Sequence, residues 1–201
     1  QEKGQGRVVT IDNQSARDRL PDVSTLLAQA GLEDYVEVIF AQSSYTWELM
    51  KLVEEQTAEG QCAPLFDFCF IDGAHTWEAD GLAFFLVEKL LNPGGWLLFD
   101  DLYWTYSSME ESPDTMPAEE QETSQVERVF SLLVCQHPSF HNHSIRDGWG
   151  WAQKRAPQEA GTATNVVGEA YAQQTIRQDI IAMVNKLRWR KTLKRLGQRN
   201  R

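Results

Sequence analysis

Two apolar runs that each close on aspartate constrain this chain more than any other feature. Phe66-Asp67-Phe68-Cys69-Phe70-Ile71 leads into Asp72-Gly73-Ala74-His75, and Trp96-Leu97-Leu98-Phe99 leads into Asp100-Asp101. A helix-length stretch and a Pro93-Gly94-Gly95 stop lie between them. This is the pattern of a βαβ unit. Its crossover is right-handed and its strands are parallel, so both C-terminal ends open on one edge of the sheet. Open α/β sheets bind ligands at that edge. The pattern therefore predicts that Asp72, His75, Asp100 and Asp101 converge on one crevice.

The flanking sequence extends the alternation. Residues 7–12 read as a buried strand ending in Asp12, and 22–31 as a helix with Leu26, Leu27 and Ala30 on its apolar side and Gly31 as its stop. A strand follows at 36–40, then a helix at 46–58, a loop from Gly60 to Pro64, the central strand, a helix at about 77–91 and the Asp100 strand. Strand–helix alternation of this kind means α/β with a mostly parallel sheet, doubly wound. The strands are continuous apolar runs, which suits strands covered on both faces. After Asp101 the texture changes. Residues 110–122 hold six acids and two prolines without a basic residue, and read as an exposed loop able to act as a lid. A helix is expected at 124–136. Arg146-Asp147-Gly148, between two strand-like runs, signals a terminal antiparallel hairpin. Residues 156–168 read as a linker and 169–196 as a last helix.

Charge divides the chain unevenly. From Ile176 to Arg201 nine basic residues stand against the single Asp179, so the overall charge of −10 leaves −18 on residues 1–175. An acidic body of this kind argues against nucleic acid lying across the main domain. The basic helix is expected to face solvent, the acidic body of its own chain, a second copy of the chain, or an anionic surface. Cys62, Cys69 and Cys135 have no metal-type spacing and read as reduced thiols of a cytoplasmic protein. No apolar run reaches the roughly 18 residues that suggest a membrane span.

Phe70-Ile71-Asp72-Gly73-Ala74-His75-Thr76-Trp77-Glu78 and Leu91-Asn92-Pro93-Gly94-Gly95-Trp96-Leu97-Leu98-Phe99-Asp100-Asp101 resemble the fourth- and fifth-strand signatures of class I S-adenosylmethionine-dependent methyltransferases. The likeness is to the branch of sugar and macrolide O-methyltransferases and cephalosporin hydroxylase-type proteins, and it covers about residues 7–155. It implies a Rossmann-like fold. The family's glycine-rich loop follows a first strand and precedes the acid corresponding to Asp12. Here Gly4-Gln5-Gly6 comes directly before the Asp12 strand, with no strand ahead of it. The expectation is a domain over 1–155 that lacks its N-terminal strand, in a natural protein extending further upstream.

Residue by residue, Asp12 suits a ribose-binding carboxylate at a strand end, with Asn13 beside it. The resemblance puts Gln42 and Ser43 against adenine, although Ser43 equally suits a helix cap. Asp72 is expected both beside the cofactor and, with Asp100 and Asp101, around a cation. Strands ~4.8 Å apart bring such carboxylates together, crowding raises their pKa values, and oxygen ligands suit Mg²⁺. The resemblance supports the same three positions. His75 lies where the branch carries a base, and an imidazole is suited to taking a hydroxyl proton. Trp104 is the best placed of the tryptophans to form a wall for substrate. His141 and His143 read as an edge-strand pair. Together these predict a Mg²⁺-assisted methyl transfer from S-adenosylmethionine to a hydroxyl of a small molecule or sugar. Two alternatives stay open: a metal-binding hydrolase or hydroxylase-like relative, and a non-catalytic interaction module working through its basic helix.

Overall fold

The computed structural model describes residues 6–109 and 115–156. They lie in one compact unit, Gln1–Pro157. The basic C-terminal helix and nearly all of the expected linker fall outside the described residues.

The chain opens with strand β1, Val8–Asn13, a 3₁₀ turn at Gln14–Asp18, helix α1, Val23–Ala30, and strand β2, Val36–Ala41. Asp22 starts α1 by accepting the Thr25 N–H at 2.8 Å, and Gly31 ends it in the left-handed region at φ 61°. β1 and β2 pair in parallel, with Asp12 opposite Phe40 and Asn13 opposite Ala41. Helix α2, Tyr45–Glu55, begins on Ser44, whose hydroxyl accepts the Trp47 N–H.

The helix expected through residue 58 stops at Glu55. Thr57–Ala58 (β3) and Gln61–Cys62 (β4) pair as a small antiparallel hairpin where a helix end and a loop were expected. Glu59 and Gly60 at its tip have φ of 53° and 79°. Two successive positive φ values suit a two-residue hairpin turn, and a right-handed helix does not pass through them.

Strand β5, Phe66–Ile71, helix α3, Trp77–Leu90, and strand β6, Leu91–Phe99, form the βαβ unit. β5 and β6 are parallel, with Phe68 opposite Trp96 and Ile71 opposite Phe99. Thr76 caps the start of α3 through the Ala79 N–H. At its other end the Lys154 amine donates to the carbonyls of Glu88 and Leu91, satisfying acceptors that a helix terminus leaves open.

Of the acidic segment expected as an exposed loop, residues 110–114 fall outside the described residues, and the described remainder departs from it. Residues 118–122 form a short helix, α4, Ala118–Glu122, entered through Pro117 with Glu119 and Glu120 in its first turn, where carboxylates complement the helix dipole. The helix expected at 124–136 starts as α5, Gln125–Arg128, and widens into a π-helical segment over Val129–Val134. β7, Phe140–Arg146, and β8, Trp149–Lys154, make the terminal hairpin around Asp147 and Gly148, both at positive φ.

The result is a Rossmann-like α/β fold whose sheet is in two pieces. β1 pairs with β2, while β5, β6, β8 and β7 form a four-stranded sheet in that order, antiparallel at β8 and β7. Among the described residues no strand joins β1 to β5. The core lies where α3, α5 and the π-helical segment cover β5, β6 and β8, with Phe84, Leu90, Leu97, Phe99, Phe130 and Ala152 all nearly inaccessible to water. Each such large side chain contributes about 1.5–3 kcal/mol by burial. Gly150 is required here, because a Cβ would stand 2.8 Å from the Phe130 ring. None of the described helices is long and apolar enough to cross a membrane.

Candidate active site

The βαβ unit delivers its aspartates to one edge, as its connectivity requires. The ladder between β5 and β6 runs one step past Phe99, the Asp100 N–H donating to the Ile71 carbonyl at 3.0 Å. That bond fixes Asp100 directly beside the start of the Asp72–His75 loop. The two consecutive aspartates then part. Asp100 is buried, and its Oδ1 accepts the Asp101 N–H at 2.8 Å. Asp101 takes φ 52°, and its carboxylate turns toward His75, which itself sits at φ 59°. Non-glycine residues in this region cost of order 1–2 kcal/mol each, and two of them meet here.

His75 Nε2 stands 3.6 Å from Asp101 Oδ2 and 4.0 Å from Asp72 Oδ1. The three ligand-capable atoms of Asp72, His75 and Asp101 lie within 4.8 Å of one another. Nε2 is buried and has no hydrogen-bond partner among the described residues. Its pairing with Asp101 is the main reason the imidazole pKa stands above its ordinary value; burial works against this, and the charges of Asp80, Asp101 and Asp72 reinforce it. The structure therefore brings together Asp72, His75 and Asp101, and leaves Asp100 beside them with its carboxylate engaged by backbone. Of the consecutive pair, Asp101, at φ 52°, is the one whose carboxylate stands beside His75 Nε2.

Aromatic rings roof this cluster. The Trp104 N–H donates to the Asp101 carbonyl at 3.0 Å, folding the chain back so that the Trp104 and His75 ring centroids are 4.7 Å apart. Tyr106 packs edge-on against Trp104 at 4.6 Å, and its hydroxyl donates to the Ala74 carbonyl at 2.6 Å. Trp149 is partly buried, Trp151 is buried, and Trp77 is exposed. His141 and His143 lie on β7, the last strand of the sheet, away from this cluster in the strand order.

The second group of expected residues sits at the ends of β1 and β2. Asp12 Oδ1 accepts the Asn13 N–H at 2.7 Å, and Arg19 approaches its other oxygen at 3.9 Å. The Asn13 side chain accepts from the Ser15 hydroxyl. Gln42 Nε2 reaches Gln14 Oε1 at 3.4 Å, so the two strand ends are bridged by side chains. Ser43 is exposed, and the helix cap belongs to Ser44 instead. The Tyr45 hydroxyl at the start of α2 donates to Asp80 Oδ1 in the first turn of α3. That bond places the β2 end and the β5 end on the same side of the fold, since each helix start directly follows its strand.

Asp80 and its partner Tyr45 were not singled out from the sequence. The one available signal was an acid on the helix face that also carries Gly81, Phe84 and Val87. The structure buries it fully there.

Parallel strand pairs, crossover helices on the sheet, a terminal antiparallel hairpin and carboxylates gathered at the strand ends together define the class I methyltransferase fold. A family model described as a methyltransferase domain matches residues 1–102, just over half of the chain, and the protein belongs to that family. Among solved structures, the O-methyltransferase from Bacillus cereus in complex with SAH is 19% identical, with a TM-score of 0.51; the match covers 75% of this chain and 63% of that one. TomG from Streptomyces achromogenes, an O-methyltransferase involved in tomaymycin synthesis and solved with SAM, is 18% identical, with a TM-score of 0.50 and coverage of 76% and 64%. The chain thus spans just under two thirds of the length of these proteins, and the likeness is one of fold. No curated protein sequence matches it.

Proposed function

We propose that this protein is an O-methyltransferase that transfers a methyl group from S-adenosylmethionine to a hydroxyl of a small molecule, assisted by a divalent cation. The observation that carries this reading is the His75 Nε2 atom, buried, without a hydrogen-bond partner among the described residues, and set between two carboxylates at the C-terminal edge of the sheet. Family membership supplies the reaction class.

The donor chemistry fits at both ends. Asp12 offers carboxylate oxygens at a strand end, suited to ribose hydroxyls, and the amide of Gln42 and the hydroxyl of Ser43 stand at the neighbouring strand end for the base. Asp72 and Asp101 offer oxygen ligands of the kind that hold Mg²⁺, with Asp100 adjacent. The methyl donor supplies an electrophilic carbon, and the cation lowers the pKa of an acceptor hydroxyl.

His75 takes the hydroxyl proton on Nε2. Nε2 is the atom that faces Asp72 and Asp101, so a hydroxyl held between these carboxylates would stand within its reach. Trp104 covers the imidazole on one side, an aromatic wall suited to a flat ring or a sugar. Much of the acceleration comes from holding donor and acceptor together.

Calorimetry with S-adenosylhomocysteine, with and without Mg²⁺, tests the proposal. Binding in the micromolar range supports it, and no heat in either condition retires it.

A further inference from the structure

We propose that Asp80 is the positioning residue of this site: its buried carboxylate, clamped by the Tyr45 hydroxyl, winds the Gly73–His75 loop so that the imidazole is presented between Asp72 and Asp101. The inference rests on the reading of His75 given above, and it assigns a role to a residue outside the predicted catalytic, cofactor and metal sets.

The geometry carries it. Asp80 is 1% exposed on the first turn of α3. Thr76 caps the start of α3, and Asp80, four residues further on, takes no part in that cap. Asp80 instead reaches back beyond the cap. Its Oδ1 accepts the Ala74 N–H at 3.2 Å and the Tyr45 hydroxyl, while Oδ2 is buried without a hydrogen-bond partner among the described residues. The same residue is gripped from the other side, the Tyr106 hydroxyl donating to the Ala74 carbonyl at 2.6 Å. Ala74 is thus held by both its hydrogen-bonding groups, one residue before His75. A backbone at φ 59° is unfavourable for histidine and persists only where its surroundings dictate it. The Ala74 clamp supplies that constraint.

The loop is also fitted to the carboxylate. A Cβ on Gly73 would overlap Asp80 Oδ1 and stand 2.7 Å from the Tyr45 hydroxyl. Glycine at 73 is therefore what lets Asp80 come close enough to hold Ala74. The clamp joins three elements: α2 through Tyr45, α3 through Asp80, and the segment after β6 through Tyr106. A residue that only capped α3 would touch none of the others.

The ring current of Trp104 on His75 reports the presentation directly. The experiment records His75 ring-proton shifts by NMR on histidine-labelled protein, assigned with His75→Gln, with Trp104→Ala as the unstacked reference. Asp80→Leu should move the His75 resonance toward the Trp104→Ala position. Asp80→Asn, which keeps an acceptor oxygen for Ala74 and Tyr45, should hold it near wild type. Tyr45→Phe should move it part of the way, and it serves together with Asp80→Asn where the leucine variant does not fold. An unmoved resonance in Asp80→Leu or Tyr45→Phe overturns the proposal, as does an Asp80→Asn shift equal to that of leucine. This readout needs neither methyl donor nor turnover. A failed methyltransferase reading shows instead as absent S-adenosylhomocysteine binding in the wild-type protein.

Discussion

Replacing Gly73 by alanine puts one methyl group where the structure has no room for it. The Cβ would overlap Asp80 Oδ1, with the Tyr45 hydroxyl at 2.7 Å and its ring carbon at 3.0 Å. The peptide at 73 is held through Ala74, so the carboxylate is the group that must withdraw, and withdrawal breaks the hydrogen bonds it accepts from Ala74 and Tyr45. Inserting a methyl group into a packed site costs typically about 1–3 kcal/mol. Each hydrogen bond to a charged group is worth about 1.5–3 kcal/mol, part of which water recovers as the site opens. The expected loss is about 2–4 kcal/mol, read as a lower urea midpoint at unchanged slope. The control is Asp80→Ala, which removes the nearest atom that the new methyl group strikes and also the acceptor that holds the Tyr45 hydroxyl beside it, so that the Tyr45 ring can yield. In that background Gly73→Ala should cost under about 1 kcal/mol, giving a coupling of at least about 1 kcal/mol between contacting residues. Equal costs in both backgrounds would refute the overlap and, with it, the fit between glycine and carboxylate.

Further outcomes follow from the same cluster. His75→Ala should reduce methyl transfer by a factor of about 10²–10⁴ while leaving Mg²⁺ binding in calorimetry intact; loss of Mg²⁺ binding would make His75 a ligand rather than a base. Asp101→Asn should weaken Mg²⁺ binding more than Asp100→Asn does, because only Asp101 turns its carboxylate toward Asp72 and His75; the reverse order in titration calorimetry would contradict the geometry. Burial holds the Asp80 pKa above its ordinary 3.8, with Tyr45, His75 and the loop amides opposing the rise. A raised carboxylate pKa means that the folded protein binds the extra proton, so this contribution is fully present below pH 3.8 and is lost as pH rises through the folded-state value. Denaturation from about pH 4 to about pH 8 should then show Asp80→Asn gaining on wild type as pH rises, by about 1.4 kcal/mol for each pH unit separating the folded-state pKa from the unfolded one; a gap that narrows with pH would sink the assignment.

The strands, the crossover helix and the terminal hairpin were legible because each rests on local chemistry: continuous apolar runs, Gly31 and Pro93-Gly94-Gly95 as stops, and Asp147-Gly148 at a turn needing two positive φ values. The exceptions are local competitions that composition does not resolve. Glu59-Gly60 turned a helix end into a hairpin, and an acid-rich stretch read as loop gained a helix from Pro117 and two first-turn glutamates.

The sequence alone determined that Asp72, His75, Asp100 and Asp101 reach one sheet edge, because right-handed βαβ connectivity leaves parallel strand ends no other place. Only the tertiary structure decided which of them face one another. Asp100 and Asp101 are adjacent in the chain, and a left-handed backbone at Asp101, with a backbone hydrogen bond engaging Asp100, separates them. Asp80 entered the site for the converse reason: it belongs to neither aspartate motif, and the packing of α2 on α3 brings it under Ala74, a contact that no spacing along the chain encodes.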